Sequence, residues 1–177
     1  MDSDKFKPSQ KDAERFVGLA ILFATGSYEP SVKLHSSLAS VGTTKEWDYF
    51  CTVAVIGSAI MHLNANTDIL TDHFQVLIGE ELNSRLPRGW DAVEDLMNFI
   101  GRGETPKYSE GQSAKSKLHI INEQLGCGVG GWILWNLQKK APEETDIETV
   151  SYLGRLCYEK FGAEVASTFV QGQLGLN

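Results

Sequence analysis

Residues 126–132 read Gly126-Cys127-Gly128-Val129-Gly130-Gly131-Trp132 and contain a literal G-x-G-x-x-G. Two readings compete for that spacing. In a dinucleotide-binding turn, a strand ends at the first glycine, the glycines form the bend, and the next helix presents its N-terminus to a pyrophosphate. Within a helix, the same glycines bare the backbone to a close neighbour. The first reading implies an α/β nucleotide binder, the second an all-α protein.

The flanking residues decide for the helix. A strand through residues 118–121 would end well before Gly126, with Asn122-Glu123-Gln124-Leu125 still to come. Leu118, Ile121, Leu125, Val129 and Trp132 instead step by three and four straight through the glycines, the period of one helix face. An acid about 20 residues on, Asp146, stands in a helix-capping signal, and no alternating βαβ pattern surrounds the cluster. Four glycines in a helix cost about 1 kcal/mol each relative to alanine. Close packing against another helix backbone, or a bend near residues 126–128, is expected to offset that cost. Trp132 and Trp135 add large contact area one turn on.

Helical spacing and helix punctuation recur along the whole chain. Ser9 with Asp12 three residues later opens a helix to about Thr25, and Gly26 stops it. Tyr28-Glu29-Pro30 reads as a turn before a short helix that carries Val32, Leu34, Leu38 and Val41 and ends at Gly42. Thr43-x-x-Glu46 is a capping box, and from Trp47 to Met61 the chain is apolar almost all round, which marks a central helix. Thr67 or Asp68 is expected to cap the next helix, whose Leu70, Phe74, Leu77, Ile78, Leu82 and Leu86 form an amphipathic stripe. Pro87-Arg88-Gly89 breaks it, and a helix from about Trp90 then runs to Gly101-Arg102-Gly103. Residues 104–111 are the most loop-like, with Ser109-x-x-Gln112 as the capping signal after them. Thr145-x-x-Glu148 opens a last helix in which Ile147, Val150, Leu153, Cys157, Phe161, Val165 and Phe169 hold register for about six turns. Gly162 is a candidate nick in it. The expected fold is therefore all-α: one domain over residues 1–177, a bundle of about six or seven helices, with residues 1–8 and 172–177 frayed.

Charge and cysteine usage bound the function. Against 23 Asp+Glu stand 16 Lys+Arg, a net charge of -7. Nucleic acid is disfavoured, because phosphate binding needs clustered cations, and Lys115, Lys117 and the pair Lys139-Lys140 are too thin a footprint. An acidic chain could instead meet a basic protein partner, since complementary fields speed encounter, although the same charge is accounted for by solubility alone. Cys51, Cys127 and Cys157 form no C-x-x-C and read as reduced core thiols, which points to the cytoplasm. The apolar run 16–24 follows Asp2, Asp4, Asp12 and Glu14 and so reads as a buried helix rather than a signal peptide. The run 50–61 meets His62, Asn64 and Asn66 too soon to span a bilayer, so no membrane contact is expected.

No nucleophile elbow, phosphate loop or metal spacing appears, and no catalytic residue, metal or cofactor is assigned. The strongest local charge feature is Glu143, Glu144, Asp146 and Glu148, which serves helix initiation and is also a candidate docking face for a basic protein. His62, Asp68, Asp72 and His73 gather round one expected helix–helix turn. His119 and Glu123 lie one helical turn apart. Of these, His62, Asp72, His73, His119 and Glu123 are the candidates for a pocket that handles protons or a metal between helices. The sequence thus supports first a non-enzymatic interaction domain, such as an inhibitor or immunity-type binder of a basic protein. A small-molecule- or metal-binding helical enzyme is the alternative, and homo-oligomerisation through the Trp132–Trp135 face is a third possibility.

Overall fold

Thr43 opens the helix around which the others are arranged. Its hydroxyl accepts the Glu46 N–H at 3.2 Å, and the Glu46 carboxylate accepts the Thr43 N–H at 2.9 Å, closing the capping box that the sequence announces. The computed structural model describes residues 7–102 and 114–173, with side chains of residues 114–122 excepted. Within them the order is α1 (Gln10–Ala24), α2 (Tyr28–Leu34), a 3-10 turn (Ser36–Ser40), α3 (Thr44–Asn66), α4 (Asp72–Arg85), α5 (Gly89–Gly101) and α6 (Ala114–Gln138). A second 3-10 turn (Glu144–Asp146) leads to α7 (Ile147–Gly154), a π-helical stretch (Arg155–Gly162) and α8 (Ala163–Gln173). Every described residue lies in a helix or a connection, and none in a strand. The all-α bundle is thus as expected, because α7, the π stretch and α8 run on as one rod.

Residues 51–60 of α3 are buried without exception, so the middle of α3 has no face to offer water. Packed around it are α1, α5, α6, α8 and the π stretch. Phe16, Phe74 and Phe169 join α1, α4 and α8 in one aromatic cluster, with Phe74 stacked on Phe169 at 5.3 Å.

The glycines of α6 face two ways. A Cβ on Gly130 would overlap the Val150 carbonyl oxygen and lie 2.8 Å from the Gly154 nitrogen. A Cβ on Gly154 would in turn overlap the Gly126 carbonyl, so α6 and α7 meet backbone to backbone. Gly128 and Gly131 point instead at α5, where their Cβ positions lie 3.2 Å from Ile100 and 3.8 Å from Phe99. The helix therefore runs straight through the glycine cluster, and close packing on two sides accounts for it. No bend is needed.

Elsewhere the structure corrects the reading of the sequence. The fourth helix starts at Asp72, not at residue 67 or 68; the Thr67 hydroxyl donates to the Leu63 carbonyl at the end of α3 and accepts the Ile69 N–H at 3.4 Å in the connection, where no helix follows it. Thr71 caps α4 instead, accepting the Phe74 N–H at 3.2 Å, while Ile69 and Leu70 pack on the core from the connection. Tyr28-Glu29-Pro30 is the first turn of α2 rather than a turn before it, a place where proline lacks no needed donor. Beyond Leu34 the chain tightens into 3-10 geometry, so Leu34 stays exposed while Leu38 is buried. Gly162 does not nick the last rod; the wider π turn begins upstream at Arg155. Nor are residues 172 and 173 frayed. Gln173 donates to the Asp12 carboxylate at 2.7 Å, tying α8 to the start of α1. Desolvation raises the Asp12 pKa, but hydrogen bonds from Ser9 and Gln173 outweigh it and hold the carboxyl below its usual value. Residues 104–111 and Ser109-x-x-Gln112 lie outside the described residues.

Gly130→Ala is expected to lower stability by about 2–3 kcal/mol or more, since rigid backbone must move to admit the methyl group. Gly18→Ala, with nothing within 4 Å of the new Cβ, is expected to raise it by about 0.5–1 kcal/mol. Urea unfolding midpoints at constant m distinguish the two, and a Gly130→Ala protein as stable as the parent would refute the backbone contact.

Candidate functional site

An open groove of about 1110 Å³ lies between the α1–α2 corner and the last helical rod. One wall is Leu22, Phe23, Pro30 and Leu34; the other is Tyr152, Arg155, Leu156, Glu159, Lys160 and Phe161, with Glu164 and Ser167 of α8 beyond. Leu22 and Leu34 are 72% and 69% exposed, large apolar side chains left in water on one wall. The π stretch carries five of the residues on the facing wall, and its wide turn brings the consecutive residues Glu159, Lys160 and Phe161 to the same hollow. Phe161 closes part of the groove against Phe23 at 5.6 Å between ring centroids.

A chain of polar contacts fixes the floor. Gly26, at φ +132°, takes the chain out of α1 in a conformation that side chains rarely adopt. Next to it the buried Ser27 accepts the Trp47 indole N–H at 3.0 Å and donates to the Ala24 carbonyl at 2.7 Å. Ser31 donates to the Ser27 carbonyl at 2.6 Å, which leaves the Tyr152 hydroxyl to donate to Ser31 at 2.9 Å. His35 then lies on the Tyr152 ring at 4.4 Å, half-buried. The corner is thus bonded to the central helix on one side and to α7 on the other.

The charged groups of the groove are not used up internally. Arg155, Glu159 and Glu164 form no salt bridge among the described residues, and Lys160 leans over the Phe161 ring at 5.7 Å. Across α7, Glu123, Cys127, Ser151, Arg155 and Glu159 line an adjoining hollow of about 180 Å³. Cys127 is exposed there, contrary to the expectation of three core thiols; Cys51 and Cys157 are buried. Partial desolvation of the sulfur against the hollow's wall, and then the carboxylates of Glu123 and Glu159, push the Cys127 thiol up, away from a reactive thiolate.

The residues weighed from the sequence as an acid–base set do not converge. His62 stacks on Tyr158 at 4.5 Å and bonds the Tyr158 carbonyl at 2.9 Å, on the far side of the π stretch. Asp72 stands in the first turn of α4 beside a notch with Trp90, and His73 is exposed. Glu123 lies in the hollow by Cys127, and the side chain of His119 is outside the described residues. No three His, Cys, Asp or Glu side chains among the described residues gather to hold a metal ion. In the acidic segment, Glu143 and Asp146 form a reciprocal capping box, and Glu143 also meets Lys140 at 2.9 Å; Glu144 and Glu148 are exposed. Trp132 is buried, its indole bonded to Asp95 at 2.8 Å, so of the tryptophan pair only Trp135, 46% exposed, reaches the surface.

Sequence reasoning missed the groove itself. Leu22 falls in the apolar run 16–24 that reads as a buried helix and Leu34 among the apolar positions of the short second helix, and nothing local in the sequence separates them from buried neighbours such as Ala20 and Leu38. No family model, no curated protein and no solved structure matches this chain. None of its described helices is long and apolar enough to cross a membrane.

Ser27→Ala would strand the fully buried Trp47 indole and is expected to cost about 1–3 kcal/mol in urea unfolding. Ser58 is the contrasting case, a buried hydroxyl with no partner among the described residues, so Ser58→Ala is expected to leave stability unchanged or raise it. Equal losses at the two serines would contradict the bonding described.

Proposed function

We propose that this chain is a protein-interaction domain whose groove between the α1–α2 corner and the last rod seats an apolar segment of a partner protein. The observation that carries it is the pair Leu22 and Leu34, exposed on one wall of a largely apolar groove of about 1110 Å³. Isolated exposed leucines need no account, but two lining one concave apolar surface do. Typical small-molecule pockets run about 300–1,000 Å³ and enclose most of their ligand, whereas this groove is larger and lies open along its length. Charge supports the same reading: at net -7 the field of the chain favours approach of a basic partner. A reducing compartment such as the cytoplasm suits it, because Cys51 and Cys157 are free thiols.

Site-specific photocrosslinking tests the proposal. With p-benzoylphenylalanine in place of Leu34, light is expected to yield a discrete protein adduct in the cells that make this chain. The same probe in place of Val76, exposed on α4 away from the groove, is expected to yield none. Identical adduct patterns at both positions, or no protein adduct at Leu34, would refute the groove as the seat of a partner.

A further inference from the structure

Trp90, on the α4–α5 hairpin and away from the groove, is held in place by its neighbours and yet stays partly exposed. Its backbone N–H donates to the Asn83 side chain at 2.9 Å, and its indole N–H donates to the Glu94 carboxylate at 3.0 Å. A Cβ on Gly79 would lie 3.1 Å from Cδ2 of the indole and 3.3 and 3.4 Å from the bonded atoms Cγ and Cε3, which places it above the ring plane. One face of the indole is therefore seated on bare α4 backbone, and the other is turned away from it. Among the described residues no other ring and no cation lies on that indole.

The ring borders two hollows, of about 430 and 300 Å³, which also share Gln75. Asp72 and Glu80 line the first and Glu94 the second, and neither is lined by a Lys, Arg or His. That single sign has a local origin. Residues 72–101 carry six carboxylates (Asp72, Glu80, Glu81, Asp91, Glu94 and Asp95) against Arg85 and Arg88. Both arginines are bound by carboxylates outside the hollows, Arg85 by Glu81 and Arg88 by Asp91. Asp72, Glu80 and Glu94 form no salt bridge among the described residues.

The lining selects the chemistry of an occupant. Carboxylates without a counter-charge favour a cation, and the face of an indole attracts one through its quadrupole, better than any other side-chain ring. A bare metal ion fits poorly, because it needs several oxygens in contact at once. No three His, Cys, Asp or Glu side chains among the described residues gather to supply them. An organic ammonium ion fits what is present: its methyl groups lie on a ring, and carboxylates several ångströms off still act on its charge. Both hollows fall at the small end of small-molecule pockets, which run about 300–1,000 Å³, so the occupant is small. We infer that Trp90, flanked by Asp72, Glu80 and Glu94, binds a small organic ammonium ion of the quaternary amine class. The bonds to Asn83 and Glu94 fix the ring before the ligand arrives, so little order is lost on binding.

Titration of the isotope-labelled protein with choline, followed at the tryptophan indole resonances by NMR, tests this. Choline is expected to shift the Trp90 indole to saturation in the millimolar range. The neutral alcohol in which carbon replaces the choline nitrogen is expected to bind about tenfold more weakly or less. Trp135, 46% exposed on α6, controls for loose stacking and is expected not to move. Asp72→Asn/Glu80→Gln/Glu94→Gln removes the charge and keeps an acceptor for the indole N–H, so it is expected to weaken choline about tenfold. Glu14→Gln/Glu29→Gln/Glu148→Gln removes the same charge from exposed sites elsewhere and is expected to leave binding within about twofold of the parent. Equal binding of the alcohol, equal shifts at Trp135, equal losses in the two triple variants, or no shift at Trp90 would each overturn the inference. A glycine peptide bearing one trimethyllysine that binds tighter than choline would assign the ammonium to a protein side chain and overturn the free ion as the ligand.

Discussion

Backbone contact between α6 and α7 is the constraint from which the rest of the architecture follows. Gly126 and Gly130 present bare backbone on one side of α6, and Gly154 presents it on α7. Helices that carry side chains at their crossing stay about 8–10 Å apart. Removing the side chains from both partners lets α7 come in closer, and the position of the whole last rod is set by that approach. The rod is pinned again eight residues on, where a Cβ at Gly162 would overlap the Cβ of Ser58 on α3. Between these two fixed points lies the π-helical stretch, residues 155–162. The wider π turn lies between these anchors, in a rod whose apolar register also delivers Phe169 to Phe16 and Phe74.

The groove inherits its shape from that placement. Its second wall is the pinned rod, so it does not depend on loops for its form. Its first wall is held by Ser27 and Ser31, which link the α1–α2 corner to Trp47 of α3 and to Tyr152 of α7. Hydrogen bonds of this kind contribute only about 1 kcal/mol each to stability, yet leaving one partner unpaired in the interior costs more than the bond contributes. Their effect is therefore to make one relative position of the two walls better than its neighbours. A binding surface held in place before its ligand arrives loses less entropy on binding than one that must order itself.

How far the sequence discloses all this depends on the range of the interaction concerned. Caps are local, and Ser9 and Thr43 mark helix starts that the structure keeps, whereas the box expected between Thr145 and Glu148 is replaced by one between Glu143 and Asp146, two residues upstream. The central helix is legible because residues 51–60 lack any polar face. Thr67 misleads, since one hydroxyl can close a helix as readily as open one, and only the geometry at Leu63 tells which. The glycine cluster is legible as a site of close approach, but the partner, Gly154, stands 24 residues beyond Gly130 and carries no mark of its own. Pocket residues are the least legible of all. Leu22 and Leu34 differ from core leucines only in what the fold leaves opposite them, and the candidates His62, Asp72, His73 and Glu123 are scattered because proximity in sequence round a turn does not bring side chains to one hollow.

The cost of keeping the groove open indicates why it would be retained. Burying a leucine contributes about 1.5–3 kcal/mol, so Leu22 and Leu34 forgo stabilisation that a slightly different corner would collect. Polar residues at both positions would cost the fold little, because neither side chain is part of the core. The same wall-and-floor construction that holds the groove open thus also keeps these leucines from collapsing onto Leu156 and Phe161. An apolar surface prevented from closing on itself by a bonded frame retains its driving force for association, which the proposed partner segment would release.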